Sequence, residues 1–396
     1  MRLLFPLLLL LAGCASTTTP PAPTPQSHAW ATFDDTRILH SEAHGPADRR
    51  TGRRLTIDDP VRIASISKLV VALGVMRLVD EGRLDLDRDV SEWLGWRLRN
   101  PAFPDAAITL RHLLSHTSGL RDDVGYYAVP LGTELRTLLE QPAAFAAGHP
   151  PGAYFTYSNL GFPIVAQVIE RATGERFDLL MQRLVLRPLG LDACFNWASC
   201  SDGAIARAAV LYDEQGQVAR DDLQGQRPAC PVVAAADGSC DYARYMIGTN
   251  GALFSPQGGL RISVSDLATV GRLLLNRGMH GGSRFLGEAS IAEMLRPQWR
   301  FDGSNGNIEN GFYCAYGLGV QLLAHCLPRD GLFGDSRRRL GHAGEAYRLR
   351  SGLWIDPQQQ RGIAYFATGL PETPPRGESV YPAVEEWMAR RLLVTR

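Results

Sequence analysis

Residues 61–71 read VRIASISKLVV, and they hold the only lysine of the chain, Lys68. The 396 residues include 41 lysines and arginines, so every other basic side chain of that count is an arginine. Arginine stays protonated in proteins, whereas lysine can lose its proton once it is desolvated. A salt bridge or a surface charge would accept arginine, and this chain uses arginine for them. A position that needs a removable proton would not. Leu69, Val70, Val71, Leu73, Val75, Met76, Leu78 and Val79 are apolar nearly all round, which predicts a buried helix ending at Gly82. Ser65 stands three positions before Lys68. Positions i and i+3 share a helix face, so hydroxyl and amine can meet. A neutral amine beside a serine hydroxyl is a nucleophile with its base. The start of the helix also turns backbone N–H groups toward negative charge developing at Ser65. Neither G-x-x-x-x-G-K nor V-A-I-K surrounds Lys68, which excludes a P-loop and a protein-kinase lysine.

Outward from this segment the pattern is mixed, then helical, then strand and helix. WATF (30–33) and RILHS (37–41) suggest edge strands, and 108–120, 133–140 and 162–173 have helical periodicity. Asn159 is suited to cap the last of these, and Gly174 to end it. Residues 198–248 read as a long loop or insertion. A helix resumes at 265, RSGLWID (350–356) and GIAYFATG (362–369) form a hairpin around PQQQR, and a closing helix is expected over about 379–393. A sheet built from both chain ends, about 28–64 and 245–396, with a mainly helical region, about 65–244, inserted between them, fits this α/β (α+β) pattern.

The formal net charge is zero, so no basic excess points to nucleic acid. Arg2 followed by the apolar run Leu3–Leu11 is too short to span a bilayer and reads as an export signal. It ends in Leu11-Ala12-Gly13-Cys14, which resembles a bacterial lipoprotein cleavage box. That resemblance implies a signal peptide over 1–13 and a lipidated Cys14. A Thr/Pro-rich tether over 14–27 would then lead into one catalytic domain, 28–396, on a membrane facing the periplasm. No later stretch is apolar and long enough for a transmembrane helix. Cysteines 194, 200, 230, 240, 314 and 326 remain, and an oxidising compartment would pair them. Sequence does not fix their connectivity, and pairing of nearest neighbours is the preferred reading. Zinc is disfavoured because no C-x-x-C occurs.

Ser65-Ile66-Ser67-Lys68 resembles the S-x-x-K element of the serine β-lactamase and penicillin-binding protein superfamily, on its class C and esterase side. Tyr157-Ser158-Asn159, the only Tyr-x-Asn of the chain, resembles the second element. The third is Lys-Thr-Gly or His-x-Gly. With no lysine left, His342-Ala343-Gly344 is preferred over His280-Gly281-Gly282 because a strand and hairpin follow it. LRHLLSHTSGL (110–120), RPLGL (187–191) and GGLRISVSDLATVGRLLL (258–275) extend the resemblance.

The resemblance implies a β-lactamase/D,D-peptidase-like fold, with an antiparallel sheet flanked by helices, and a serine hydrolase that forms an acyl-enzyme on Ser65. Lys68 would take the Ser65 proton, alone or with Tyr157. Tyr157 would relay a proton to the leaving group, and Asn159 would orient Lys68 and the substrate. His342 would polarise Tyr157 or steer a substrate carboxylate. The oxyanion would sit at Gly344 and Glu345, between the backbone N–H of Ser65 and that of Glu345. Substrates implied are β-lactams, D-amino-acid peptides of peptidoglycan, or esters, with no cofactor or metal and a monomeric protein. A sensor that acylates without turnover is the alternative. His112 and His116, at i and i+4, lack a third metal ligand and are read as structural. The run Arg337–Arg339 is read as solvated or structural, with carboxylate binding as its alternative.

Overall fold

The computed structural model describes residues 25–394. The leader, Cys14 and most of the expected tether therefore lie outside the described residues. Ser27, assigned to the tether, already opens the first strand.

Two strands, β1 (Ser27–Asp34) and β2 (Ile38–His44), form an N-terminal hairpin. Six more come from the last quarter of the chain: β3 (Trp299–Arg300), β4 (Ala315–Tyr316), β5 (Gln321–Leu323), β6 (Arg339–Ala346), β7 (Leu349–Asp356) and β8 (Arg361–Thr368). They build one eight-stranded sheet in the order β3-β4-β5-β6-β7-β8-β1-β2. All neighbours are antiparallel. The expected sheet from both chain ends is thus present.

Alternation along β1 shows why both faces of the sheet are covered. Ala29, Ala31 and Phe33 point into the main core, whereas Trp30 points to a second cluster with Trp354, Tyr365 and Met388. Of the helices that matter for the site, α1 (Ser67–Asp80), α2 (Leu110–Leu114) and α3 (Gly161–Thr173) belong to the inserted region. On the main-core side α4 (Val264–Leu275) lies against β1, β7 and β8. A Cβ on its Gly271 would fall 2.3 Å from the Phe33 ring, so glycine sets how closely helix and sheet approach. The other face is covered by α5 (Ala383–Ala389). Pro382 precedes it, so this helix starts later than the sequence pattern suggested.

The apolar helix is present, with Leu69, Val70, Val71, Leu73, Val75 and Leu78 all fully buried, and Gly82 follows it in the left-handed conformation. The helix expected over 108–120 is cut to α2. Thr109 caps its start, but His116 (φ 57°) and Gly119 (φ 77°) turn the chain away from a helical path. Residues 198–248 are mostly irregular, apart from a short helix (Asp202–Arg207) and a strand pair (Leu211–Tyr212 with Val218–Arg220). The six cysteines pair with their nearest neighbours, 194–200, 230–240 and 314–326. No helix among the described residues is long and apolar enough to cross a membrane.

Candidate active site

Ser65 lies in a 3-10 turn, Ala64–Ile66, that runs directly into α1. It precedes the α-helix rather than sitting on its face. Ala64 has φ 57°, a left-handed conformation that costs a non-glycine residue about 1–3 kcal/mol unless its surroundings enforce it. Here they do. Ser67 donates to the Ala64 carbonyl (2.6 Å) and accepts from the Leu260 amide (3.0 Å). Ser351 on β7 donates to the Ile63 carbonyl (2.8 Å). Ser67 of the S-x-x-K element is thus the side chain that locks the turn presenting Ser65.

Lys68 is fully buried. Its Nζ lies 3.1 Å from Ser65 Oγ, 2.8 Å from Asn159 Oδ1 and 2.8 Å from the Gln257 carbonyl oxygen. The last two atoms can only accept, and they take two N–H bonds. For a neutral amine that leaves one lone pair, facing the Ser65 hydroxyl. Burial pulls the amine pKa down to about 7, against the upward pull of the Asp122 carboxylate.

Asn159 is not the N-cap of α3; Leu160 occupies that place. Its orientation is fixed by Asp122. One Asp122 oxygen accepts from the Asn159 amide (3.0 Å) and from Asn159 Nδ2 (2.9 Å), and the other from the Leu160 amide (2.9 Å) and the Ser158 hydroxyl (3.0 Å). With Nδ2 held by Asp122, Oδ1 must face Lys68. Asp122 therefore caps the helix and aims the amide. Sequence reading missed it, because its partners lie 36 to 38 positions downstream and no local pattern links them.

Tyr157 packs over Lys68, with Nζ 4.8 Å from its ring centre, and stacks on Tyr313 at 5.1 Å. Its hydroxyl is buried without a well-formed hydrogen bond. Burial pushes the phenol far above its usual range, with the nearby Ser65 hydroxyl only partly opposing it. Behind Tyr157 runs a directed chain that no motif disclosed. The Ser158 amide donates to His116 Nδ1 (3.1 Å), so His116 carries its proton on Nε2 and offers it to the Tyr316 hydroxyl (3.2 Å). Tyr316 then donates to His342 Nε2 (2.6 Å), and His342 Nδ1 donates to the Ala343 carbonyl. Both imidazoles are neutral in this arrangement. Burial and the Lys68 charge pull His342 down to about 3, and burial holds His116 well below its usual value.

The third element lies on β6. Gly344 is required there, since a Cβ would stand 2.6 Å from the Ile63 carbonyl. The turn after β6 has Tyr347 at φ 51° and Arg348 at φ 62°, as a two-residue hairpin of the primed type needs. Ladder alternation then directs the Ala346 and Gly344 amides to β7 and the Glu345 amide to the opposite edge. That edge is open, because β5 pairs only with Arg339–Gly341.

Ser65, Tyr157, Asn159, Gly344 and Glu345 line one cleft of about 1180 Å³, with Lys68 and His342 buried beneath. One expectation needs correction. His342 cannot steer a carboxylate, being neutral, 1% exposed and bonded to Tyr316. The run Arg337–Arg339 is structural, as read, and its alternative of carboxylate binding in the cleft finds no support: Arg337 and Arg339 pair with Asp356, Arg339 also with Asp335, and none of the three lines the cleft. His280 lies in a two-residue strand away from the cleft. His112 belongs to no cluster of three or more potential metal ligands among the described residues.

A family model described as Beta-lactamase matches residues 26–383. Esterase EstB of Burkholderia gladioli is 37% identical over 175 residues, 40% of this chain and 43% of the esterase. Penicillin-binding protein 4 of Amycolatopsis lactamdurans is 27% identical over 257 residues, 65% of this chain and 61% of that protein. The matches thus span less than two thirds of each relative. A solved class C beta lactamase from Rhodobacter sphaeroides has TM-score 0.67 at 17% identity, with 94% of both chains covered, a likeness of fold. The match across nearly the whole described chain, on a fold that joins the three motif segments at one cleft, means that the chain belongs to the Beta-lactamase family of serine hydrolases.

Proposed function

We propose that the protein hydrolyses amide or ester carbonyls through an acyl-enzyme on Ser65. The observation that carries this reading is the Lys68 amine, whose two donor directions are taken by Asn159 and Gln257 and whose third faces Ser65 Oγ at 3.1 Å. A base with a pKa of about 7 is half neutral near neutral pH, where general-base catalysis is most effective. Lys68 takes the proton as Ser65 attacks. The oxyanion is stabilised by the backbone N–H groups of Ser65 and Glu345, beside Gly344. The ammonium so formed lies under the Tyr157 ring and favours proton transfer through the Tyr157 hydroxyl to the leaving group. Asn159, aimed by Asp122, holds the amine in register.

His342 supports Tyr157 through packing and the Tyr316 bond, and supplies no positive charge to the cleft. This favours esters without a carboxylate beside the leaving group over β-lactams and D-alanyl-D-alanine peptides, both of which carry one. Export through the 1–13 signal, lipid attachment at Cys14 to a membrane facing the periplasm, and a single catalytic domain over 28–396 form part of the same proposal. Fatty-acid labelling lost in Cys14→Ser tests the anchor.

The decisive assay compares a p-nitrophenyl ester, a D-alanyl-D-alanine peptide and a chromogenic cephalosporin, with Ser65→Ala as control. Steady turnover abolished by Ser65→Ala is expected. A stoichiometric burst without turnover would favour the sensor reading, and absence of any Ser65 adduct would reject both.

A further inference from the structure

Three arginines of the described residues are nearly as buried as the core: Arg62 (7% exposed), Arg261 (5%) and Arg339 (2%). Arg261 pairs with Asp221, and Arg339 with Asp335 and Asp356. Arg62 has neither an ion pair nor a hydrogen bond among the described residues, and its Nε is buried without a partner. Its neighbour across the strand pair is Arg261, and the one carboxylate beside them, Asp221, already serves Arg261 at 2.9 Å and Arg220 at 3.9 Å. What Arg62 does touch is the Tyr347 ring, 5.1 Å away, and the cleft that holds Ser65. Burial and Arg261 pull its pKa down to about 10, so it stays charged at neutral pH. Asp221 also attracts Arg62, but one carboxylate shared by three guanidiniums leaves desolvated positive charge over, which is unfavourable unless something else compensates it.

We propose that Arg62 is the receptor for a carboxylate on the acyl portion of the substrate. The assignment to the acyl side rests on the acyl-enzyme reading. Strand β6 runs along the cleft from His342, whose ring centre is 6.2 Å from that of Tyr157, to the turn at Tyr347. Five residues of strand separate these points by about 16 Å. Tyr157 serves the leaving group at one end, and Arg62 with Tyr347 stands at the other. The substrate class is therefore an ester or amide whose acyl chain ends in a carboxylate, held by a guanidinium three residues before the nucleophile.

The test compares kcat/KM for p-nitrophenyl hydrogen succinate and hydrogen glutarate with that for the butanoate and pentanoate esters. The native protein should prefer the charged acyl chains by about tenfold or more. Arg62→Gln should bring the ratio close to one, while Arg62→Lys keeps much of it. No preference in the native protein, or a preference that survives in Arg62→Gln, overturns the proposal. Equilibrium binding of methyl hydrogen glutarate against dimethyl glutarate to Ser65→Ala reads the same site without catalysis, and decides the matter if Arg62→Gln does not fold. Equal affinities there overturn the proposal. Discrimination in that variant, with no ester turned over by the native protein, would sink the acyl-enzyme reading and leave the carboxylate site standing.

Discussion

Replacing Lys68 by arginine keeps a positive charge and removes the base, so it isolates the property that the sequence singles out. In the native protein the amine, at about 7, is neutral in roughly half of the molecules at pH 7. Granting a guanidinium the same lowering by burial would still leave it at about 9 to 10. Its neutral form would then be scarcer by about 10²- to 10³-fold, which corresponds to roughly 3–4 kcal/mol on the acylation barrier. The planar fork also cannot reproduce two donors and one lone pair at a single nitrogen. Acylation in Lys68→Arg should therefore fall at least about 10²-fold. Stopped-flow release of p-nitrophenol from an activated ester reads this step, with circular dichroism as the control for folding. The native rate should rise with pH through about 7 and level off above it, because only the deprotonated amine accepts the Ser65 proton. An acylation rate in Lys68→Arg within about threefold of native, or a native profile flat from about pH 5 to 9, would refute the reasoning.

Tyr157→Phe removes a hydroxyl without a well-formed bond, so thermal unfolding should shift by less than about 1 kcal/mol while turnover drops about 10²-fold or more. Asp122→Asn weakens the acceptor of four bonds and removes the carboxylate that raises the Lys68 pKa; denaturant titration should show a loss of about 2–4 kcal/mol. The rising limb of the acylation profile should move to lower pH in the same variant, and a move to higher pH would contradict the assigned coupling. Tyr316→Phe leaves His116 and His342 each short of a partner. It should cost about 1–3 kcal/mol in chemical denaturation, with a smaller effect on turnover than Tyr157→Phe.

The nucleophile, its base and the tyrosine were legible because their signals are local. Ser65 and Lys68 lie within one helical turn, the apolar run after them has no polar face, and Tyr157 and Asn159 fall in one tripeptide ahead of a helix. The sheet from both chain ends could be read from composition that changes along the chain, and the disulfides paired at the shortest separations. Period and spacing, which need no knowledge of the rest of the fold, exposed the serine–lysine pair and its buried helix; Tyr157 and Asn159 were legible through the resemblance of their tripeptide, and the cysteine pairing was a preference that the sequence left open.

Tertiary structure alone decided the environment of those residues. Asp122 and Gln257 reach Lys68 and Asn159 from distant loops, and β4 brings Tyr316 between His116 and His342. His342 matched a motif, yet burial made it a neutral support rather than a charged wall. Arg62, one of many arginines in the sequence, stands apart only once its neighbours' carboxylates are seen to be committed elsewhere. Ionisation and hydrogen bonding depend on solvent exclusion and on partners far away along the chain, and those exist only after the backbone has closed on itself.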